Sequence, residues 1–250
     1  MHKITEHRPP GTHFFGLLPQ EVRDTVTARG WPKFRGGQLL EWVYGKGVTD
    51  PSAMTNLPAR DRQDVNEMFH FATASQTRRQ NSEDGTIKLL LTWPNGSSAE
   101  TVMIPDADRR TACVSSQVGC PVACKFCASG LEGLKGNLTA GQIVEQVFQL
   151  NAVLAEGDPS LARRVTNIVF MGMGEPLANY DNVMRAIRII HDPACFNLGG
   201  RRITVSTVGV PPKIRQLAGE ELPLNLALSL HAPNEPLRRD LIPWASHFAL

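Results

Sequence analysis

The sequence has no apolar run near the roughly 18 residues that a membrane-spanning helix needs, and no signal-peptide pattern. Neither a membrane protein nor a secreted one is expected; a cytoplasmic one is. It also lacks a strong charge of either sign, with 26 Lys and Arg against 24 Asp and Glu, a formal net charge of +2. That excludes a histone-like polycation, so any nucleic-acid site has to be local. Internal repeats and low-complexity segments are absent. What remains is ordinary globular composition, 42% hydrophobic and 20% charged. At roughly 150 residues per domain, such a chain holds one large domain or two small ones.

Cysteine is scarce as well, but the five cysteines are not scattered. Cys120, Cys124 and Cys127 fall within eight residues, Cys113 lies just upstream, and Cys195 is remote. Disulfide frameworks belong to small secreted chains that cannot build a core. This chain is long enough to bury one, so a metal or cluster site in a reducing compartment is the better reading.

Residues 1–85 read as a small all-helical module. A helical pattern starts at Pro19 with Val22 and Val26. A second, Gly37 to Tyr44, carries Leu39, Leu40 and Val43, and a short helix pair punctuated by Pro51 and Pro58 runs to about Phe71. Residues 86–111 read as a β-hairpin linker. Thr86 to Trp93 is strand-like, Pro94-Asn95-Gly96 is turn chemistry, and Ala99 to Ile104 returns. Residues 112–250 alternate strand and helix. Strands are expected at Ala112–Gln117, Arg164–Met171, Arg202–Thr207 and Leu224–His231. Helices are expected at Thr139–Leu154 with Thr139 as N-cap, Asn182–His191 and Pro211–Ala218. Such alternation indicates an α/β fold with a parallel sheet or a (βα) barrel, of which four strands are present.

Each of these strands leads into a polar or glycine-rich turn: Gly119-Cys120, Gly172-Met173-Gly174-Glu175, Ser206-Thr207, and Ser229 with His231. In parallel βα folds ligands bind at the carboxyl ends of the strands. Four turns thus nominate one face, and the cysteines sit on it. Thiolates suit zinc or iron–sulfur clusters. Three sulfurs on one loop can reach three corners of a cubane and leave a fourth iron open. A structural zinc would want a fourth ligand, and no histidine lies close in sequence; Cys113 is the available candidate. Both readings stand at this point.

The cysteine spacing, with Phe126 before the last cysteine, resembles the radical S-adenosylmethionine (SAM) superfamily. Five further runs occur in order: Ala99-Glu100-Thr101-Val102, Cys113 through Cys120, Met171 through Pro176, Val205 through Val210, and Ser229 through Asn234. Together they resemble the RlmN/Cfr family of radical SAM RNA methyltransferases. Phe34 through Gln38 and Met54 through Leu57 fit that family's helical accessory module. The resemblance implies a partial (βα) radical-SAM barrel preceded by the accessory module and the hairpin. It implies a [4Fe–4S] cluster on Cys120, Cys124 and Cys127, whose open iron binds SAM and whose reduced form cleaves it to a 5′-deoxyadenosyl radical. Gly174, Glu175, Ser206, Ser229, Leu230 and His231 would bind SAM. Glu100 would be the base that takes the proton from adenine C2, and Cys113 the resolving thiol that forms a transient disulfide. The implied activity methylates C2 of an adenine in 23S rRNA and in tRNA through a protein methyl-cysteine, with an electron donor such as flavodoxin. A Cfr-like C8 methyltransferase and a zinc- or RNA-binding fragment are the alternatives.

Plain readings stand beside these. Glu100 alone reads as a solvated strand carboxylate, His231 as a core histidine, and Cys113 and Cys195 as small buried hydrophobes. Met171 and Met173 read as packing or loop residues. Trp31, Trp42 and Tyr44 read as core. The doublets Arg78-Arg79, Arg109-Arg110, Arg163-Arg164, Arg201-Arg202 and Arg238-Arg239 read as solvated surface able to touch phosphates. The sequence departs from the family pattern after Asn234. No cysteine follows, so the methyl carrier has no counterpart, and the expectation is a fragment or a shortened homologue that is inactive alone. The last strand would be a bare sheet edge, from which poor solubility or oligomerisation is expected.

Overall fold

The computed structural model describes residues 11–157 and 165–248. The N-terminal part begins with β1 (Thr12–His13), α1 (Pro19–Ala28) and α2 (Phe34–Leu40). α2 runs into a π-helical turn at Glu41–Gly45; α3 (Ala59–Met68) and β2 (Phe69–His70) follow. α1 starts on Pro19, where the missing N–H costs nothing, and Leu18 N–H donates to Glu21 Oε2 at 2.7 Å. β1 and β2 pair in parallel, Thr12 with Phe69 and His13 with His70. Phe14, Phe15, Val22, Val26, Leu39, Leu40 and Val65 are fully buried and join the core of the rest of the chain.

Next come β3 (Ser75–Asn81), β4 (Ile87–Thr92), β5 (Ser98–Asp106) and β6 (Arg109–Cys113). β7 (Gln117–Gly119) and β8 (Leu134–Asn137) pair with each other across the cysteine loop. Then follow α4 (Ala140–Gly157), β9 (Asn167–Phe170), α5 (Tyr180–His191), β10 (Ile203–Thr207), α6 (Pro211–Ala218), β11 (Asn225–Leu228) and α7 (Glu235–Leu241). Among the described residues no helix is long and apolar enough to cross a membrane.

One seven-stranded sheet runs in the order β11-β10-β9-β6-β5-β4-β3. β6, β9, β10 and β11 are parallel, and β3, β4 and β5 extend them antiparallel. This is the α/β architecture with four parallel strands that the sequence led one to expect. Side chains alternate across the sheet. Ala99, Thr101, Met103, Ala112, Ile168, Phe170, Ile203 and Val205 are buried on one face. Glu100, Val102, Cys113, Val169, Thr204 and Ser206 share the other, as the pairings Val102 with Cys113, Cys113 with Val169 and Thr204 with Val169 require. α4 is fixed at its start by a reciprocal cap: Gln142 N–H donates to Thr139 Oγ1 at 3.2 Å, and Thr139 N–H to Gln142 Oε1 at 2.9 Å.

Several sequence expectations are corrected. The 1–85 block is not all helical: Ser75–Asn81 is a strand, exposed along its whole length, and Phe69–His70 replaces the end of the expected third helix. The 86–111 hairpin exists but is no separate linker, because β3 pairs on one side of it and β6 on the other. The strand expected at Ala112–Gln117 is Arg109–Cys113, and Val114–Ser116 leaves the regular ladder. The last strand ends at Leu228, so Ser229-Leu230-His231 is a turn. Residues 158–164, with Arg163-Arg164 and the start of one expected strand, lie outside the described residues. β11 does form an edge, with Leu226 and Leu228 exposed.

Candidate functional site

One open cavity of about 280 Å³ collects most of the nominated residues. Cys120, Cys124, Cys127, Gly174, Glu175, Ser206, Ser229 and His231 line it, with Phe126, Met171 and Thr207 between them. The lining comes from the loop after β7 and from the turns that follow β9, β10 and β11, at the carboxyl ends of the strands, where loop chemistry in parallel sheets converges. Glu100, Cys113 and Leu230 lie outside that lining. Glu100 and Cys113 nevertheless share the sheet face of Ser206, on strands beside the cavity.

The cysteine loop is held at both ends. Cys120 N–H donates to Gly133 O at 3.2 Å, and Cys127 N–H to Cys124 O at 3.1 Å. Val122 is buried against Ile242 and Ala245, and Lys125 N–H donates to Leu241 O at 3.0 Å. The end of α7 and the segment after it therefore anchor the loop, a contact across more than a hundred residues. Ala123 takes a left-handed φ of 55°, uncommon outside glycine, at the bend between the first two thiols. Burial pushes the Cys120 thiol up, and burial with the neighbouring Cys120 and Cys127 pushes Cys124 up to about 11. Cys120 and Cys124, in one partly dry cavity, are poor anions by themselves. A cation among them reverses that balance. Among the described residues no three His, Cys, Asp or Glu groups are gathered closely enough for a single metal ion. The donor set, three thiols on one loop, fits the corners of a larger iron–sulfur cluster.

Glu175 is buried (3% exposed), and its carboxylate already serves the backbone. Leu177 N–H donates to Oε1 and Val208 N–H to Oε2, both at 3.0 Å, while Glu175 N–H donates to Gln117 Oε1 at 2.8 Å. Burial pushes the carboxyl up, and those donors pull it back. Glu175 thus ties the turn after β9 to the turn after β10. Gly174 has φ +101°, and a Cβ there would sit 2.6 Å from Gln117 Cβ. Ser206 Oγ and Ser229 Oγ are 3.2 Å apart, pairing the third and fourth strand ends. His231 is exposed and left-handed (φ 56°), and its ring lies 4.6 Å from that of Phe126. It is not a core histidine. Met171, read as a packing or loop residue, lies in the loop after β9, half exposed, and lines the cavity.

Glu100 projects from β5 and accepts an ion pair from Lys88 Nζ at 3.1 Å. Cys113 ends β6, and burial pushes its thiol up. The expected disulfide is absent: all five cysteines are free thiols. Cys195 is fully buried beside Tyr44, as a structural residue would be. Arg238, read as surface, is buried, with Nη2 donating to Val208 O at 2.5 Å and so bracing the same turn. Sequence reasoning missed the polar run Ser115-Ser116-Gln117, buried beneath the cavity. An uninterrupted polar triplet between apolar stretches was the available signal.

Comparison with known proteins agrees with this geometry. Residues 114–246 match the family model described as the radical SAM superfamily. Residues 12–70 match the N-terminal domain of ribosomal RNA large subunit methyltransferases. A curated relative from Symbiobacterium thermophilum, named "Probable dual-specificity RNA methyltransferase RlmN", is 45% identical over 92% of this chain and 61% of its own length. One of the same name from Dictyoglomus thermophilum is 47% identical over 89% of this chain and 63% of its own. The chain spans only about 61–63% of these relatives. A crystal structure of a radical SAM methyltransferase from Sphaerobacter thermophilus superposes with a TM-score of 0.89 at 42% identity, over 95% of this chain and 69% of that one.

Proposed function

Because the chain belongs to the RlmN family of the radical SAM superfamily, we propose that it is the accessory module and radical-generating core of a SAM-dependent RNA methyltransferase acting on C2 of an adenine. The observation that carries this reading is the convergence of three cysteines, the Gly174-Glu175 turn, Ser206, Ser229 and His231 on one cavity. The substrates would be 23S rRNA and tRNA, the compartment the cytoplasm, and the reductant a protein such as flavodoxin.

Cys120, Cys124 and Cys127 would hold a [4Fe–4S] cluster. When bound, the cluster supplies the electron for reductive cleavage of SAM. The protein's part is placement and exclusion of water. The Gly174–Glu175 backbone, fixed on Gln117, offers polar groups to the amino-acid end of SAM. Ser206, Ser229 and the Leu230–His231 segment would take the rest, with the Phe126 and His231 rings as an aromatic wall. Glu100 would accept the proton from adenine C2, held near Lys88 until substrate arrives. Cys113, one strand further in on the same face, would be the thiol that resolves the protein–RNA link. Polar methyl transfer fails at an electron-poor carbon without an acidic hydrogen, so the route is a radical one, and the base and the thiol are needed afterwards, to release the product from the protein–RNA link. Residues 235–250 hold no cysteine, and the relatives extend beyond the 61–63% of their length that these 250 residues span.

The test supplies anaerobic protein with reductant, methyl-labelled SAM and transcripts of 23S rRNA and tRNA. The 250 residues should release 5′-deoxyadenosine and methionine and leave RNA unlabelled. A chimera extended by the C-terminal portion of the Symbiobacterium relative should place label at adenine C2. Label at C8 would move the chain to the Cfr side of the family. No 5′-deoxyadenosine from either protein would overturn the reading.

A further inference from the structure

Below the cavity, Val114 N–H still donates to Val169 O of β9 at 3.0 Å and Ser116 N–H to Met173 O at 2.9 Å, but between them the Ser115 backbone is bonded to a side chain. Ser115 is fully buried and bonded on every polar atom. Its hydroxyl donates to Glu100 O at 2.6 Å and accepts from Met173 N–H at 2.9 Å. Its backbone is gripped by one side-chain amide: Ser115 N–H donates to Gln146 Oε1 at 2.8 Å, and Gln146 Nε2 donates to Ser115 O at 2.9 Å. Gln146 is itself fully buried on α4. Gly172 packs so close that a Cβ there would lie 2.7 Å from Ser115 Oγ.

One residue therefore joins three elements: its hydroxyl ties the strand that carries Glu100 to the Gly172–Glu175 turn, and its backbone is held by the helix behind them. A hydroxyl between a fixed acceptor and a fixed donor has a single orientation, and a fully satisfied buried network is rigid. We propose that Ser115, clamped by Gln146, is a positioning residue that sets the distance between the Glu100 strand and the Gly174–Glu175 turn. It touches neither cofactor nor substrate. The inference rests on the reading of that turn as the SAM-binding turn and of Glu100 as the base. Removing the hydroxyl leaves Glu100 O and Met173 N–H without a partner in a dry interior, and the turn is the more movable of the two.

The test titrates SAM into reduced, anaerobically reconstituted protein and follows the electron paramagnetic resonance signal of the cluster. The parent should show a SAM-dependent change. Ser115→Ala should need at least ten times more SAM for the half-change and should lose exchange protection at the Met173 amide. Thr166→Val is the control. It removes a comparable bond, Arg110 N–H to Thr166 Oγ1 at 2.8 Å, from the far end of β6. It should stay within twofold of the parent. A smaller shift in Ser115→Ala overturns the inference, as does an equal shift in Thr166→Val. If Ser115→Ala does not fold, Gln146→Glu decides instead: it keeps the acceptor for Ser115 N–H but loses the donor, and a shift under threefold overturns the proposal. A parent with no response to SAM would sink the cofactor reading itself, and the inference with it.

Discussion

Acidification should open the seam between the N-terminal helices and the sheet, and His13 is where the cost is concentrated. Its ring lies in β1, stacked on His70 of β2 at 5.1 Å, with Nε2 3.6 Å from the buried Glu145 carboxylate of α4. That carboxylate is already occupied by Ala74 N–H at 2.7 Å, Trp93 Nε1 at 2.8 Å and Thr73 Oγ1 at 3.1 Å. Burial, reinforced by His70, pushes His13 down to about 3. A histidine depressed in the folded state adds stability above its unfolded value, about 6.5, and loses it as pH falls from there towards 3. At 1.36 kcal/mol per unit, the loss between pH 7.5 and 5 is about 2 kcal/mol. Burial raises Glu145, which acts in the opposite direction, but Glu145 is present in parent and variant alike. Urea unfolding at both pH values, followed by tryptophan fluorescence, compares the parent with His13→Gln. The variant should lose about 2 kcal/mol less over that range. Equal losses in the two proteins would refute the reasoning.

Two more perturbations follow from the site and its sheet. Gly174→Ala combines a left-handed φ with a Cβ 2.6 Å from Gln117. It should cost about 1–3 kcal/mol in stability and abolish the cluster's spectroscopic response to SAM; retained response would refute the role of this turn. β11 leaves Leu226 and Leu228 exposed at the sheet edge. Sedimentation should therefore show concentration-dependent association, relieved by Leu226→Lys; a monomer at all concentrations would contradict it.

The parallel half of the fold was legible because its strands are short apolar runs: Ile168, Val169 and Phe170 admit little else between glycine-rich turns. The helices with a sharp start were legible too, since Pro19 and Thr139 mark themselves. β3 was not. Ser75–Asn81 is polar and exposed, with no alternation to read, and it is a strand because β4 offers it a ladder. The cavity's lining was readable from turns at the strand ends and from cysteine spacing. Its support was not, because Ser115 depends on Gln146, Glu100 and Met173, and Val122 on Ile242 and Ala245, partners that no local pattern announces. Arg238 was misread for the same reason. A charged residue reads as surface until the turn it braces is known.

The central claim is that three cysteines on one loop hold an iron–sulfur cluster at the mouth of this sheet. Iron, sulfide and zinc analysis of anaerobically reconstituted protein, parent against Cys124→Ala and Cys195→Ala, tests it most directly. The account predicts about four iron and four sulfide per chain in the parent and in Cys195→Ala, and loss of both in Cys124→Ala. A colourless parent with one zinc and no sulfide would contradict it.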